Sequence, residues 1–171
     1  MGRNTLGERM ELKTLIKEME NNSQQARLAK IASMIEGNTI LDAGAGAGQL
    51  KKHIQADKTY EALEAEQSFV NHLRASAIRA TQGNITQIPY ADKTFDTVIA
   101  AEILEHLENP GLGLSECMRV AKDQVIITLP RANNWEEHAW TFTWETENEW
   151  LFINAKRNPN WKTEHQEKLK Q

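Results

Sequence analysis

The chain has one cysteine, no long apolar run and no excess of positive charge, and each absence excludes a class of protein. Cys117 cannot form an internal disulfide, which favours a reducing compartment. No apolar stretch approaches the ~20 residues of a membrane span, and the polar, charged N-terminus does not resemble a secretory signal. We therefore expect a soluble, cytoplasmic protein without a membrane partner.

Charge and length bound the organisation of the chain. Twenty Lys and Arg stand against 24 Asp and Glu, for a formal net charge of −4. That balance argues against a broad electrostatic footprint for nucleic acid, although a local basic patch is compatible with it. A length of 171 residues suits one domain with one core, in which we expect Cys117 to be a small core residue. We assign residues 1–155 to this domain, with N-terminal helices in 1–36, and 156–171 to a polar tail.

Glycines alternate with alanines directly after a short apolar run. Residues 40–41 are apolar and lead into Asp42, and residues 49–54 beyond the glycines can form a helix. This order predicts a strand, a tight turn and a helix. Glycine permits the turn and lets a ligand lie against bare backbone. The pattern therefore predicts a nucleoside-containing ligand beside Gly44, Gly46 and Gly48.

The spacing of these glycines distinguishes between cofactors. A dinucleotide fingerprint would place its third glycine at position 49, where this chain has Gln49. The carboxylate of Asp42 would repel a pyrophosphate, whereas it suits the ammonium of an amino-acid moiety. A purely structural turn stays open as an alternative.

Two segments downstream extend the predicted site. Residues 59–63 form a second strand that ends at Glu64, which is placed to accept hydrogen bonds from ribose hydroxyls. A third short strand precedes Asn84, which could bond an adenine edge while Ile85 packs on the ring. The alternatives are a surface acid at Glu64 and an Asn-containing turn at Asn84.

Four segments of the chain resemble, in order and spacing, the class I S-adenosylmethionine-dependent methyltransferases, especially the ubiquinone-biosynthesis group. These segments are residues 40–48, Glu64, 83–107 and 124–130. The resemblance implies an α/β fold: a Rossmann-like, doubly wound, mostly parallel sheet with helices on both faces and a shortened C-terminal portion. It implies S-adenosylmethionine as cofactor and methyl transfer to an O, N or C acceptor. The implied cofactor residues are Asp42, Gly44, Gly46 and Gly48 at the methionine end, Glu64 at the ribose, Asn84 and Ile85 at the adenine, and Ala101 and Glu102 closing the pocket.

His106 is the candidate catalytic residue, because it follows the fourth strand and could accept a proton from an alcohol or amine. The alternative is a structural cap of that turn. The segment also resembles the metal site of small-RNA 3′-terminal 2′-O-methyltransferases, in which two Glu and two His hold a divalent ion. We favour a site without metal and keep this alternative open for Glu102, Glu105, His106 and His138.

The last third of the chain departs from the family and contains all five tryptophans. Residues 139–144 and 150–154 favour a hairpin joined by residues 145–149, and a helix over 144–155 is the alternative. The tryptophans either complete the core or form a face for the acceptor, a partner protein or a second copy of the chain. A non-catalytic partner subunit that keeps the cofactor fold is therefore the second functional hypothesis.

Overall fold

Five parallel strands form the central sheet of the computed structural model, which describes residues 14, 17, 20–130, 140–147 and 150–157. Their order is β3-β2-β1-β4-β5, and every neighbouring pair is parallel. The predicted Rossmann-like α/β class is therefore confirmed. The strands are β1 (Thr39–Ala43), β2 (Thr59–Glu64), β3 (Arg79–Gln82), β4 (Phe95–Ala101) and β5 (Ala121–Thr128).

Helices precede β1 and lie between the later strands, and two of the described α-helices begin at asparagine caps. The side chain of Asn21 accepts the Gln24 N–H at 2.9 Å, and that of Asn109 accepts the Leu112 N–H at 3.1 Å. The helices are α1 (Asn22–Met34), η1 (Gln49–His53), α2 (Gln67–Ala75), η2 (Leu104–His106) and α3 (Pro110–Val120).

The two faces of the sheet are covered by different elements. Consecutive strand residues alternate between the faces, so Ile40 packs with α1, η1 and α2, whereas Leu41 packs on the side of α3. Cys117 on α3 is fully buried in the part of the core that lies on the α3 side of the sheet, as predicted. Burial raises the pKa of its thiol to about 12, which fits a core residue better than a nucleophile.

The element after the glycine turn is shorter than a crossover α-helix. Residues 49–54 were predicted as a helix, and the structure forms a five-residue 3-10 helix there, η1. Gly48 precedes it in the left-handed region with φ +73°, and residues 44–58 must return the chain to the start of β2. So short a helix has little macrodipole, and ligand contacts at this turn depend on its backbone and on nearby side chains.

Beyond β5 the described residues form a separate antiparallel hairpin of β6 (Trp140–Glu147) and β7 (Trp150–Arg157). The favoured hairpin is therefore confirmed, and the helix alternative for residues 144–155 is wrong. The connection is shorter than predicted, because β6 continues to Glu147 before β7 begins at Trp150. Strand β7 also continues to Arg157, so the first two residues of the predicted tail belong to a strand.

Several predictions fall outside the described residues. Of the N-terminal helices predicted in 1–36, residues 1–13, 15–16 and 18–19 lie outside the described residues. The same is true of Trp135, His138, Trp161 and residues 158–171. Across the described part of the chain, no helix is long and apolar enough to cross a membrane.

Candidate functional site

The predicted site residues converge at the carboxyl ends of β1, β2 and β4. Asp42 is the fourth residue of β1, Glu64 ends β2, and Glu102 follows β4. The strand order reverses between β1 and β4, since the chain continues outward from β1 to β2 and β3 before returning to β4. Open α/β sheets bind ligands at such a switch point, outside the carboxyl ends of the strands.

The glycine turn has the conformation that its sequence predicts. Gly44, Gly46 and Gly48 have φ values of +86°, +53° and +73°, which lie in the left-handed region that favours glycine. A Cβ on Gly48 would lie 2.5 Å from Leu73 Cδ2. The N–H groups of Gly44 and Ala45 donate to Leu63 O at 2.8 and 3.2 Å and so attach the turn to β2.

Asp42 is a buried carboxylate with one hydroxyl partner. Its side chain is 4% exposed, and Tyr60 Oη donates to Asp42 Oδ2 at 2.5 Å. Burial raises the pKa of Asp42 to about 6, and the Glu64 charge also raises it, whereas the Tyr60 hydrogen bond and Arg27 lower it. Asp42 therefore changes its charge near neutral pH.

Glu64 connects the end of β2 to the glycine turn. Its Oε2 accepts the Gly46 N–H at 2.9 Å, and its Oε1 accepts the Glu66 N–H at 3.1 Å, just before α2. A carboxylate has further lone pairs beyond these two bonds. Glu64 thus lies against the turn that is predicted to hold the methionine end, in reach of both the turn and α2.

Arg27 on α1 lies at the site, although the sequence did not identify it. Its Nη1 donates to Thr128 Oγ1 at 3.1 Å and lies 3.9 Å from Glu102 Oε1. Gln24 Oε1 accepts bonds from Arg27 Nε and Nη2, which fixes the guanidinium plane. Its charge lowers the pKa of Asp42. In the sequence Arg27 is one charge on an amphipathic helix, and only the packing of α1 brings it to the strand ends.

Glu102 adopts a backbone conformation that is uncommon for a residue with a side chain. Its φ is +53°, and its N–H donates to Thr128 O at 3.0 Å. Ala101, at the end of β4, is half-buried beside it. Left-handed non-glycine residues cluster at functional sites, and here the conformation turns the chain sharply at the switch point.

The predicted adenine residues have different surroundings. Asn84 is exposed, and its Oδ1 accepts bonds from Thr86 N at 2.9 Å and Thr86 Oγ1 at 2.8 Å. Ile85 is 5% exposed and packs in the core on the α3 side. The structure therefore brings Asn84 to the surface beyond β3, whereas the Ile85 side chain faces the core and presents little surface to a ring.

Glu105 and His106 lie in η2, just beyond Glu102. Glu105 is 1% exposed, and burial raises its pKa to about 7. Among the described residues, neither of its carboxylate oxygens has a hydrogen-bond partner. The His106 backbone N–H donates to Ile103 O at 3.1 Å. In the described ranges no three His, Cys, Asp or Glu side chains are grouped to hold a metal ion, and His138 lies outside those ranges. The metal-assisted alternative therefore gains no support.

This fold and these strand-end acids define a Rossmann-like cofactor-binding domain. Residues 41–129, more than half of the chain, match the methyltransferase-domain family. The chain belongs to that family, which confirms the resemblance stated from its motifs.

Two curated relatives support the same assignment. A protein of Mycolicibacterium smegmatis, named as a probable S-adenosylmethionine-dependent methyltransferase, is 29% identical over 107 residues, which are 61% of this chain and 42% of that protein. A protein of Mycobacterium tuberculosis with the same kind of name is 23% identical over 107 residues, with 61% and 39% covered. The chain thus spans less than half the length of these relatives.

Solved structures resemble the chain as well. A candidate methyltransferase of Bacillus halodurans superposes with a TM-score of 0.57 at 25% identity, over 66% of this chain and 53% of that one. An S-adenosylmethionine-dependent methyltransferase of Aquifex aeolicus has a TM-score of 0.52 at 22% identity, over 86% and 78%. The second likeness shows the fold alone.

Proposed function

We propose that this chain is an S-adenosylmethionine-dependent methyltransferase that transfers a methyl group to an oxygen, nitrogen or carbon acceptor. The observation that carries the proposal is the left-handed glycine turn after β1, with Asp42 and Glu64 at the adjoining strand ends. Family membership and the names of the relatives support it.

The charges at the strand ends fit the methionine end of this cofactor. That end carries an ammonium and a carboxylate, and Asp42 and Arg27 offer the complementary charges. Glu64 would hold the ribose hydroxyls through the carboxylate lone pairs that its bonds from Gly46 and Glu66 leave unused. Asn84 would take the adenine amino group, and Ala101 and Glu102 would close the pocket.

Bound S-adenosylmethionine would supply an electrophilic methyl group on a sulfonium. The protein's contribution is to orient the reactants and exclude water from them. His106 follows β4 by five residues and is our candidate to accept the proton of an alcohol or amine. A His106→Gln variant should lose turnover with such an acceptor while it keeps its affinity for the cofactor.

The acceptor would bind on the side of the hairpin. Trp140 Nε1 in β6 donates to Glu108 O at 3.3 Å, which joins the hairpin to the segment that follows His106. A partner protein or a second copy could complete the pocket there. A Trp140→Phe variant keeps most of the aromatic surface and removes this donor. It should raise KM for the acceptor and leave cofactor affinity unchanged.

Binding of the cofactor is the first test. Calorimetric titration with S-adenosylmethionine should give a saturable heat for wild type, a large loss for Asp42→Asn and no change for Asp57→Asn, an exposed control. Wild type that binds no cofactor would contradict the proposed function. An Asp42→Asn variant that binds as well as wild type would contradict the assignment of Asp42.

The acceptor class needs a second experiment. A cell extract incubated with the protein and radiolabelled methyl donor would be separated into small-molecule, RNA and protein fractions. Label in one fraction above the Asp42→Asn background would identify the class.

We also propose a cytoplasmic setting, which the single, buried Cys117 supports because it leaves no internal disulfide to form.

A further inference from the structure

Tyr60 and Asp42 form a buried pair between neighbouring parallel strands. Ile40 of β1 pairs with Tyr60 of β2, so the tyrosine lies two residues before Asp42 along the sheet and reaches it on the same face. Both side chains are at most 5% exposed, and the 2.5 Å hydrogen bond joins Tyr60 Oη to Asp42 Oδ2. No other hydrogen bond to the Asp42 carboxylate occurs in the described part of the chain.

The surroundings make this single bond important for the charge of Asp42. Buried charged groups need hydrogen bonds or opposite charges to remain ionised. The ionisable groups around the pair come from three elements: Arg27 from α1, Lys51 from η1 with Nζ 5.5 Å from the Tyr60 ring centroid, and Glu64 from β2. The Glu102 carboxylate beyond β4 lies 3.9 Å from Arg27 Nη1, so it partly neutralises the positive charge that acts on Asp42.

We propose that Tyr60 is a positioning residue for the cofactor: its hydroxyl keeps Asp42 ionised and holds Oδ2, so that Oδ1 is available to the cofactor's ammonium. The inference rests on the proposed function. Tyr60 lies beneath Asp42 and acts through it, and we assign it no contact with the ligand. Nothing in the local sequence marks Tyr60, because its partner is 18 residues away.

The proposed role of Tyr60 predicts the direction in which cofactor affinity changes with pH. An ammonium is attracted only by the ionised carboxylate, so cofactor affinity falls as the pH drops through the pKa of Asp42. Burial already raises that pKa to about 6, and the Tyr60 hydrogen bond lowers it. Removal of the hydroxyl would raise it further. The loss of affinity on acidification would then begin at a higher pH.

The test is calorimetric titration with S-adenosylhomocysteine, which retains the ammonium and is not consumed, between pH 5.5 and 9. Tyr60→Phe should weaken binding about eightfold at pH 5.5, about twofold near pH 7 and hardly at all at pH 9, because the midpoint of the affinity curve moves about one pH unit higher. Tyr90→Phe is the matched control, since that hydroxyl bonds Glu61 and Thr81 near the β3 edge. Its curve should superpose on that of wild type.

Each outcome decides for or against the proposal. A Tyr60→Phe curve that superposes on wild type, or that is weaker by the same factor at every pH, would overturn it. Asp42→Asn should abolish the pH dependence, and adding Tyr60→Phe to it should cost nothing more. If wild type binds no ligand at any pH, the proposed function fails first, and the two failures are thereby distinguished.

A milder change covers the case in which Tyr60→Phe does not fold. The chain has two tyrosines, so 3-fluorotyrosine incorporated into Tyr90→Phe labels position 60 alone. Fluorine makes the hydroxyl a stronger donor and barely changes its size. The affinity midpoint should therefore move to lower pH relative to unlabelled Tyr90→Phe. An unmoved midpoint would overturn the proposal.

Discussion

The Glu64 carboxylate accepts a 2.9 Å hydrogen bond from the backbone N–H of Gly46 and thereby joins the end of β2 to the middle of the glycine turn. The other oxygen accepts the N–H of Glu66 just before α2. The acid expected to hold the ribose thus also fixes the turn expected to hold the methionine end. One side chain would couple the two halves of the cofactor site.

Two substitutions at Glu64 separate its charge from its hydrogen bonding. Glu64→Gln removes the charge and keeps an acceptor for Gly46, and we expect it to weaken S-adenosylmethionine binding about tenfold. Glu64→Ala removes both the charge and the acceptor, and it should weaken binding about 100-fold. Glu61→Gln is the control on the same strand, because that carboxylate bonds Thr81 on the opposite face. Calorimetric dissociation constants check this, and equal affinity of Glu64→Ala and wild type would contradict it.

Gly48→Ala should destabilise the fold by roughly 2–4 kcal/mol. The position has φ +73°, and the new methyl would lie 2.5 Å from Leu73 Cδ2 and 2.8 Å from Ile78 Cδ1 in a packed core. Gly111→Ala near the start of α3 is the control, with its nearest contact at 3.4 Å, and should be neutral or slightly stabilising. Urea unfolding of both variants measures the difference, and similar midpoints would show that the turn relaxes freely.

Arg27→Met tests whether α1 belongs to the cofactor site or only covers the sheet. Methionine keeps the aliphatic packing and removes the charge, so we expect S-adenosylmethionine binding to weaken about tenfold, because a carboxylate loses its cation. Affinity for 5′-methylthioadenosine, which lacks that carboxylate, should stay unchanged. Lys30→Met on the exposed side of α1 is the control. An equal loss for both ligands would indicate a structural role for Arg27.

The sheet and the acids at its edge were predictable because their signals are local. The apolar runs, the alternating glycines after Asp42 and the acid that ends β2 each lie within a few residues of sequence. Arg27 and Tyr60 were missed because packing of α1 and pairing of β1 with β2 bring them to the site. The helix predicted over residues 49–54 is a 3-10 helix over Gln49–His53, and glycine spacing does not indicate which type of helix follows the turn.

The burial of Ile85 and of Glu105 also depends on tertiary packing and has no local signal in the sequence. Sequence order predicts Ile85 beside the adenine ring, and that contact stays a prediction. The burial of Ile85 in the core on the α3 side depends on tertiary packing. The sequence indicated Glu105 only as a candidate ligand in the metal-assisted alternative. Its carboxylate is buried with no hydrogen-bond partner among the described residues, and no spacing rule indicates that burial.

The buried Glu105 should make the stability of the fold depend on pH in a definite direction. Its pKa is raised from 4.5 to about 7, so between these values the native state holds a proton that the unfolded chain releases. The free energy of unfolding should therefore fall as pH rises from about 4.5 to about 7 and change little above. Asp42, with a pKa of about 6, adds a smaller contribution of the same sign.

Glu105→Gln removes this titration and nearly preserves the shape of the side chain. We expect the variant to exceed wild type by roughly 2 kcal/mol at pH 8, where wild type buries an unpaired carboxylate, and to match it near pH 4.5, where that group is protonated. Urea unfolding at both pH values measures this, with exposed Glu108→Gln as the control. A difference from wild type that is the same at both pH values would mean that Glu105 gains a partner or solvent in solution, and the orphaned carboxylate would then not be a property of the native state.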